Sequence, residues 1–190
     1  NLTNFTQPAL YVVSCLQAKA LLEEGKSPKF AAGHSVGEFA ALQCAGAFSF
    51  SDGLQMVAKR GEIMSKVSGG GMAAVIGMDA DKIGNVLTEH GADHIDLANF
   101  NSPGQIVISG PASQITEVLS PLKDAGARMV VPLKVSGAFH SRMMNEPAAE
   151  FAVFLQNFTF SLPQFPVFSN VEAQPYLITE SIPELLIKQI

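Results

Sequence analysis

The sequence has no tryptophan, no cluster of basic residues and no long apolar run. Twelve Lys and Arg against 17 Asp and Glu leave a formal net charge of -5, which lacks the electrostatic footprint of a nucleic-acid-binding protein. The most apolar early stretch, residues 9–13, is too short to span a bilayer, and no basic segment precedes it. We therefore expect a cytoplasmic protein with neither nucleic-acid nor membrane partners.

Cysteine and charge are also scarce. The two cysteines, Cys15 and Cys44, lie in apolar surroundings without CxxC spacing, which predicts inert buried thiols in a reducing compartment. Charged residues make up 15% of the chain against roughly 25% in an average soluble domain, while 47% of the residues are apolar. A chain of 190 residues with this composition can bury a sizeable core, and disorder is excluded.

The first 70 residues alternate between helix and turn signals. Apolar spacing predicts a helix over residues 7–25, with Pro8 near its first turn. A short strand at 29–32 leads through a glycine-rich turn into a helix over 38–45. Another helix has its apolar face over residues 54–65 and ends in the glycine-rich stretch 68–71, and Ser51 or Asp52 is its predicted cap. A strand, a tight turn and a helix thus follow one another directly.

A different order of elements begins at residue 72. Residues 72–135 predict strand, helix, strand, strand, helix, strand, which is the ferredoxin-like βαββαβ order. Residues 143–157 then predict a helix and 167–170 a strand. We predict an α/β fold with two domains, a discontinuous core and a ferredoxin-like subdomain inserted into it. The core comprises residues 1–71 and 136–190, and the subdomain comprises 72–135.

Residues 33–37, GHSVG, match the G-x-S-x-G pattern between a predicted strand and helix. A serine on such a turn has its hydroxyl at the N-terminus of the following helix, where it can act as a nucleophile. The backbone N–H of Val36 would then stabilise the oxyanion of an acyl-transfer reaction. The alternative is an ordinary glycine-rich turn in which Ser35 caps a helix.

A serine nucleophile needs a base, and four histidines are available. His34 is adjacent to Ser35, and neighbouring side chains on a sharp turn diverge. His90 and His94 flank a helix end in the predicted subdomain, where a solvated histidine is common. His140 lies where the chain returns to the core and is the candidate base, although a loop histidine by itself is a weak indication.

Arg60 lies between Met56 and Met64, on the flank of the apolar face of its predicted helix. Its planar guanidinium could bind a substrate carboxylate through two hydrogen bonds. An ordinary exposed helix arginine is the alternative.

Four segments together resemble the malonyl-CoA:acyl carrier protein transacylases, and most closely the free-standing, trans-acting acyltransferases of bacterial polyketide synthases. They are GHSVGE at 33–38, KRG at 59–61, NSPGQIVISG at 101–110 and GAFHS at 137–141. The resemblance covers essentially the whole chain in the same order. It implies an α/β-hydrolase-like core with a parallel sheet and a ferredoxin-like subdomain.

The resemblance also implies roles by position. Ser35 would attack the malonyl thioester, and His140 would take its proton and later activate the phosphopantetheine thiol of the carrier protein. Arg60 would hold the free carboxylate, and Val36 would donate one oxyanion hydrogen bond. Malonyl-CoA and an acyl carrier protein are the implied partners. No metal or organic cofactor is implied.

The same resemblance bears on the choice of acyl group. Phe139, in Gly-Ala-Phe-His, occupies the position that favours malonyl over methylmalonyl in the family, although Gly137 stands where malonyl-selective members have histidine. Asn101 is placed at the substrate pocket. The resemblance favours polyketide synthesis, and the same reaction in fatty acid synthesis is the alternative.

Two departures from the family pattern concern the ends of the chain. No Gly-Gln-Gly segment, whose glutamine supplies the second oxyanion donor, precedes Ser35, and the closing strands of the core are absent. We therefore expect a piece of a longer enzyme that is incomplete at both ends. Three other functions stay open: an acyl hydrolase acting on carrier proteins, a generic serine esterase and a non-catalytic docking domain.

Overall fold

The computed structural model describes residues 3–135 and 137–190, which form two compact units. The first unit comprises Asn1–Ile63 and Pro147–Ile190, and the second comprises Met64–Glu146. Residue 136, where the sequence places the return to the core, lies outside the described residues, as do residues 1 and 2.

The protein is a mixed α/β structure with one parallel and one antiparallel sheet. In chain order the helices are α1 (Thr3–Glu23), α2 (Gly37–Cys44), α3 (Phe50–Ser65), α4 (Ala80–Glu89), α5 (Ala112–Asp124), α6 (Asn145–Leu155) and α7 (Ser181–Lys188). The strands are β1 (Ala31–Ala32), β2 (Gly70–Ile76), β3 (Asp96–Ser102), β4 (Gln105–Pro111), β5 (Met129–Pro132) and β6 (Val167–Phe168). Over the described residues, no helix has the length and apolar character needed to cross a membrane.

Helix α1 differs from its prediction because it begins at Thr3 and carries Pro8 inside it. Proline fits the first turn of a helix best, so its position suggested a later start. The buried residues of α1 are Gln7, Tyr11 and Cys15, which are spaced four apart and therefore share one face. As predicted, the Cys15 thiol is buried, and burial raises its pKa.

Helix α3 is capped by Ser49 rather than by Ser51 or Asp52. The Ser49 hydroxyl oxygen accepts a hydrogen bond from the backbone N–H of Asp52 at 3.0 Å, and the hydroxyl donates to the Asp52 carboxylate at 2.7 Å. Both contacts satisfy the open end of the helix, so the helix starts at Phe50. Local spacing predicted the helix but placed its cap two or three residues too late.

The two-stranded parallel sheet of the first unit positions the serine turn. Strand β1 pairs with β6 so that Ala31 lies opposite Val167 and Ala32 opposite Phe168. Both strands are shorter than the sequence predicted, and the chain turns immediately after each of them. Because parallel strands end at the same edge, the residues that follow Ala32 and Phe168 meet there.

The second unit contains the predicted order of strand, helix, strand, strand, helix, strand. Its sheet has the strand order β3-β4-β2-β5, and every neighbouring pair is antiparallel. Strand β5 ends at Pro132, earlier than predicted, although the Leu133 N–H still donates to the Met72 carbonyl of β2 at 2.9 Å.

Side chains in this sheet alternate between two faces. Ala73 and Val75 of β2 and Ile108 of β4 pack with α4 and α5 in the larger apolar cluster. Met72, Ala74 and Val107 point to the other face, where Ala98, Leu133 and Phe139 pack against them. Residues on both faces are buried, so each strand is a short apolar run, which explains why the sequence predicted these strands well.

Replacing Ile108 by alanine is expected to destabilise the protein by about 2–5 kcal/mol, because the side chain is fully buried in the larger cluster. Urea unfolding followed by circular dichroism would measure the loss. Met129→Ala is the control, because Met129 lies in strand β5 of the same sheet but is half exposed, and it is expected to change the midpoint little. Equal effects of the two substitutions would contradict the assignment of the core.

Candidate active site

Ser35 lies on the sharp turn between β1 and α2, with φ at +52°. Few residues other than glycine adopt this left-handed conformation, and it occurs where surrounding contacts hold it. The backbone N–H groups of Gly37, Glu38 and Phe39 donate to the carbonyls three residues before them, so α2 begins directly at the turn. A Cβ at Gly33 would overlap the main chain of Gly37 and Glu38, which explains the glycine there.

Asn170, two residues after β6, holds the serine turn on both sides. Its side-chain oxygen accepts from the Ser35 backbone N–H at 2.8 Å, and its Nδ2 donates to the Gly33 carbonyl at 2.6 Å. The strand pairing explains the placement, because Gly33 and Asn170 follow paired strands. Two backbone groups that a strained turn would leave open are therefore satisfied by one amide.

The Arg60 side chain is 1% exposed and extends to the serine. Its Nη2 donates to Ser35 Oγ at 3.2 Å and to Gln189 Oε1 at 2.8 Å, while Nη1 donates to Gln7 Oε1 at 2.6 Å. The guanidinium carbon lies 5.8 Å from the centre of the Phe39 ring. Among the described residues, the buried Nε has no hydrogen-bond partner. Sequence spacing placed Arg60 on a helix flank, and the structure buries it beside Ser35.

Glu38 supplies the negative charge of this network. Its carboxylate, fully buried, accepts hydrogen bonds from the Tyr176 hydroxyl at 2.5 Å, from Gln189 Nε2 at 2.5 Å and from the Asn170 backbone N–H at 3.2 Å. Gln189 Nε2 also donates to the Ser35 carbonyl at 2.8 Å. One glutamine thus contacts the arginine, the glutamate and the backbone of Ser35.

Burial shifts the pKa of both charged groups towards the neutral form. It lowers the pKa of Arg60 to about 10, and the nearby Glu38 charge opposes that shift. Burial likewise raises the pKa of Glu38, against the hydrogen bonds from Tyr176, Gln189 and Asn170 and the charge of Arg60. With a pKa near 10, Arg60 carries its charge at neutral pH.

His140 lies in the second unit, on a loop, and its backbone is also in the left-handed region, with φ at +58°. The next residue, Ser141, donates to the Ala138 carbonyl at 2.7 Å and accepts from the Met143 backbone N–H at 3.2 Å. Asp96 then binds Arg142 through the backbone N–H at 2.7 Å and the guanidinium Nη2 at 2.7 Å. These contacts hold the segment that carries the histidine.

A family model for the acyl transferase domain matches residues 1–185. The chain belongs to the acyl transferase domain family.

Individual relatives carry more specific names. This acyl transferase domain is 51% identical, over 93% of its length, to the polyketide biosynthesis malonyl CoA-acyl carrier protein transacylase PksC of Bacillus subtilis. It superimposes with a TM-score of 0.94 and 44% identity on a malonyl CoA-acyl carrier protein transacylase from Burkholderia pseudomallei. A malonyl-transacylase solved in complex with its type II polyketide synthase acyl-carrier protein gives a TM-score of 0.95 at 36% identity. The two superpositions cover the whole chain.

The acyl transferase domain spans only part of these proteins. It covers 62% of PksC, 65% of the Burkholderia chain and 63% of the transacylase solved with its carrier protein.

The structure places the candidate residues of this acyl transferase domain in two groups. Ser35 and Arg60 are in direct contact in the first unit, where Val36 is the residue immediately before α2. His140, Phe139 and Asn101 belong to the second unit. Phe139 packs against the small apolar cluster of the sheet, and the exposed Asn101 on β3 donates to Gln105 Oε1 at 3.3 Å.

Four residues of the network carried no individual role in the sequence-based prediction: Gln7, Glu38, Asn170 and Gln189. Gln7 had a usable signal, because it is a polar residue on the face of α1 that also carries Tyr11 and Cys15. Glu38 directly follows the serine motif. Gln189 had no usable sequence signal, since α7 was not predicted. The residue follows the end of α7 and contacts Arg60 only in the folded chain.

Gly33→Ala is expected to lower the thermal midpoint of this acyl transferase domain by more than about 5 °C, because the new Cβ overlaps the start of α2. Gly37→Ala is the matched control, since a Cβ there meets no atom within 4 Å, and its midpoint should stay close to that of the parent. Calorimetry on both variants would compare them. A Gly33→Ala protein as stable as Gly37→Ala would contradict the close approach in the turn.

Proposed function

We propose that this protein transfers a malonyl group from malonyl-CoA, through an ester on Ser35, to the phosphopantetheine thiol of an acyl carrier protein. The observation that carries the proposal is the contact between the buried Arg60 guanidinium and Ser35 Oγ, at 3.2 Å. A charged group at a nucleophile favours an acyl group that brings the opposite charge. The free carboxylate of malonyl is such a group, whereas an acetyl group would leave the Arg60 charge without a partner.

The reaction proceeds in two acyl transfers through one ester. In the first, a bond forms between Ser35 Oγ and the thioester carbonyl carbon, the C–S bond breaks, and the Ser35 proton leaves with the CoA thiol. In the second, the carrier-protein sulfur forms a bond to the ester carbonyl carbon, the C–O bond to Ser35 breaks, and the thiol proton passes to Ser35 Oγ. His140 is the proposed base in both steps, and the Val36 N–H donates to the oxyanion. CoA leaves before the carrier protein binds, so ping-pong kinetics are expected.

Polyketide synthesis is the proposed setting, with PksC at 51% identity as its support. The same chemistry in fatty acid synthesis is the alternative, because both pathways load malonyl onto a carrier protein. The transacylase solved with its acyl-carrier protein supports a carrier protein as the second substrate. The proposed steps use side chains and backbone alone and need no metal or organic cofactor. A cytoplasmic location follows from the two substrates.

A hydrolase or esterase acting on neutral acyl groups accounts less well for the site. Either enzyme would explain Ser35 and His140, but neither gives the buried Arg60 charge a ligand. Burying an arginine costs free energy unless its hydrogen-bonding groups are used, and here the Nε still lacks a partner among the described residues. A non-catalytic docking domain leaves the strained conformation of Ser35 without a purpose.

The finer description of the fold belongs to the same proposal. We assign the first unit to an α/β-hydrolase-like core and the second to a ferredoxin-like subdomain. The strand order β3-β4-β2-β5 and the sequence of strands and helices support the second assignment. Phe139 is proposed to select malonyl over methylmalonyl, and Asn101 to lie at the substrate pocket.

The proposal is tested by the intact mass of the full-length protein after brief exposure to malonyl-CoA. An adduct of one malonyl group is expected on the parent protein and none on Ser35→Ala, which lacks the attacking oxygen. Transfer of the group to an added holo-acyl carrier protein would complete the test. No adduct on the parent protein would overturn the proposal, as would an adduct that persists in Ser35→Ala.

Arg60→Ala is expected to slow formation of the malonyl ester at least about tenfold, because a charge-assisted contact to the carboxylate is lost. Sulfonylation of Ser35 by phenylmethanesulfonyl fluoride, which is neutral, should continue and reports an intact serine. Lys59→Ala is the control, since the neighbouring Lys59 pairs with Glu62 and Glu150 instead of the site. An Arg60→Ala protein that still takes malonyl at the parent rate would show that another group binds the carboxylate.

A further inference from the structure

The charges of Arg60 and Glu38 are both buried, but a glutamine bridges them. Gln189 Oε1 accepts from Arg60 Nη2 at 2.8 Å, and Gln189 Nε2 donates to Glu38 Oε2 at 2.5 Å. All three side chains are buried. The Glu38 carboxylate is therefore linked to Arg60 through the hydrogen-bonded amide of Gln189.

The orientation of that amide is determined by its neighbours. A guanidinium can only donate hydrogen bonds and an ionised carboxylate can only accept them. Gln189 must therefore turn its oxygen to Arg60 and its nitrogen to Glu38. The Ser35 carbonyl, which also accepts from Gln189 Nε2, requires the same orientation.

This arrangement leaves part of Arg60 available to a ligand. A carboxylate in direct contact would form two parallel hydrogen bonds with the guanidinium and occupy one of its edges. The neutral oxygen of Gln189 takes only one. The Nε is buried, and no described residue accepts its hydrogen. An unused donor on a buried cation indicates where a ligand's oxygen would bind.

We propose that Glu38 and Gln189 are positioning residues that select for an acyl group bearing a carboxylate: Glu38 orients the Gln189 amide, and the oriented amide holds Arg60 with its Nε free for the ligand. The inference rests on the proposed malonyl transfer and adds two residues that determine its specificity. Neither residue is required to touch the reacting atoms. Their loss should therefore impair the use of malonyl more than the reactivity of Ser35.

Glu38→Gln is the principal test because it keeps the shape of the side chain and its ability to accept from Tyr176. The new amide nitrogen would face Gln189, and the Gln189 amide would rotate so that its oxygen accepts from that nitrogen. The Gln189 N–H groups would then face Arg60, whose guanidinium can only donate. We expect the rate of malonyl-ester formation on Ser35 to fall at least about tenfold. The concentration of malonyl-CoA at half-maximal rate should rise. Sulfonylation by phenylmethanesulfonyl fluoride should stay within about threefold of the parent rate.

Gln189→Met is a second variant, whose side chain has a similar length but cannot bridge Arg60 and Glu38. We expect the same fall in the ratio of the malonylation rate to the sulfonylation rate. Glu184→Gln is the matched control: it removes an exposed carboxylate from α7 that pairs with Lys188 at 2.6 Å, and both rates should be unchanged. The full-length protein is used throughout, with a thermal midpoint for each variant.

The outcomes separate this inference from the proposed function. A parent protein that takes no malonyl refutes the proposed function itself. If the parent is loaded and both variants keep the ratio of malonylation to sulfonylation, the positioning role is refuted while malonyl transfer stands. If both variants lose the two reactions together, the network has only a structural role, which also overturns the inference.

Discussion

The burial of one cation organises the first unit. Moving a guanidinium from water into a protein interior costs several kcal/mol unless its charge and N–H groups are satisfied. The Nη1 and Nη2 groups of Arg60 donate to residues from distant parts of the chain: Gln7 on α1, Ser35 on the turn and Gln189 at the end of α7. Those elements must all be in place for the charge to be buried. The network that stabilises the fold is therefore also the one that surrounds Ser35, the proposed nucleophile.

The serine turn depends on a second set of constraints, which are steric. A positive φ at Ser35 is held because β1 and β6 pair in parallel and bring Asn170 beside the turn, where its amide satisfies backbone groups on either side of the serine. Gly33 permits the close passage of the chain. Ser35, the proposed nucleophile, is thus positioned through contacts to the backbone of its turn.

The elements of the second unit were predicted well because each of them is encoded by a local pattern. The continuous apolar runs of β2 and β4 reflect burial on both faces of the sheet, and the helical spacing in α4 and α5 reflects burial on one side. The first unit was predicted less well, since its strands have two residues each and α7 has only eight. Short elements carry no clear period, so α7 was missed. The start of α1 was missed because Pro8 suggested a first turn that begins later.

The sequence by itself determined which serine, arginine and histidine to consider as site residues, because a glycine-flanked serine between a strand and a helix is a local motif that predicts a nucleophile. Only the tertiary structure decided how the Arg60 charge is held. Gln7, Glu38 and Gln189 are far apart along the chain, and polar residues of these types are common on protein surfaces. Their convergence on one cation depends on helix packing, which no local pattern encodes.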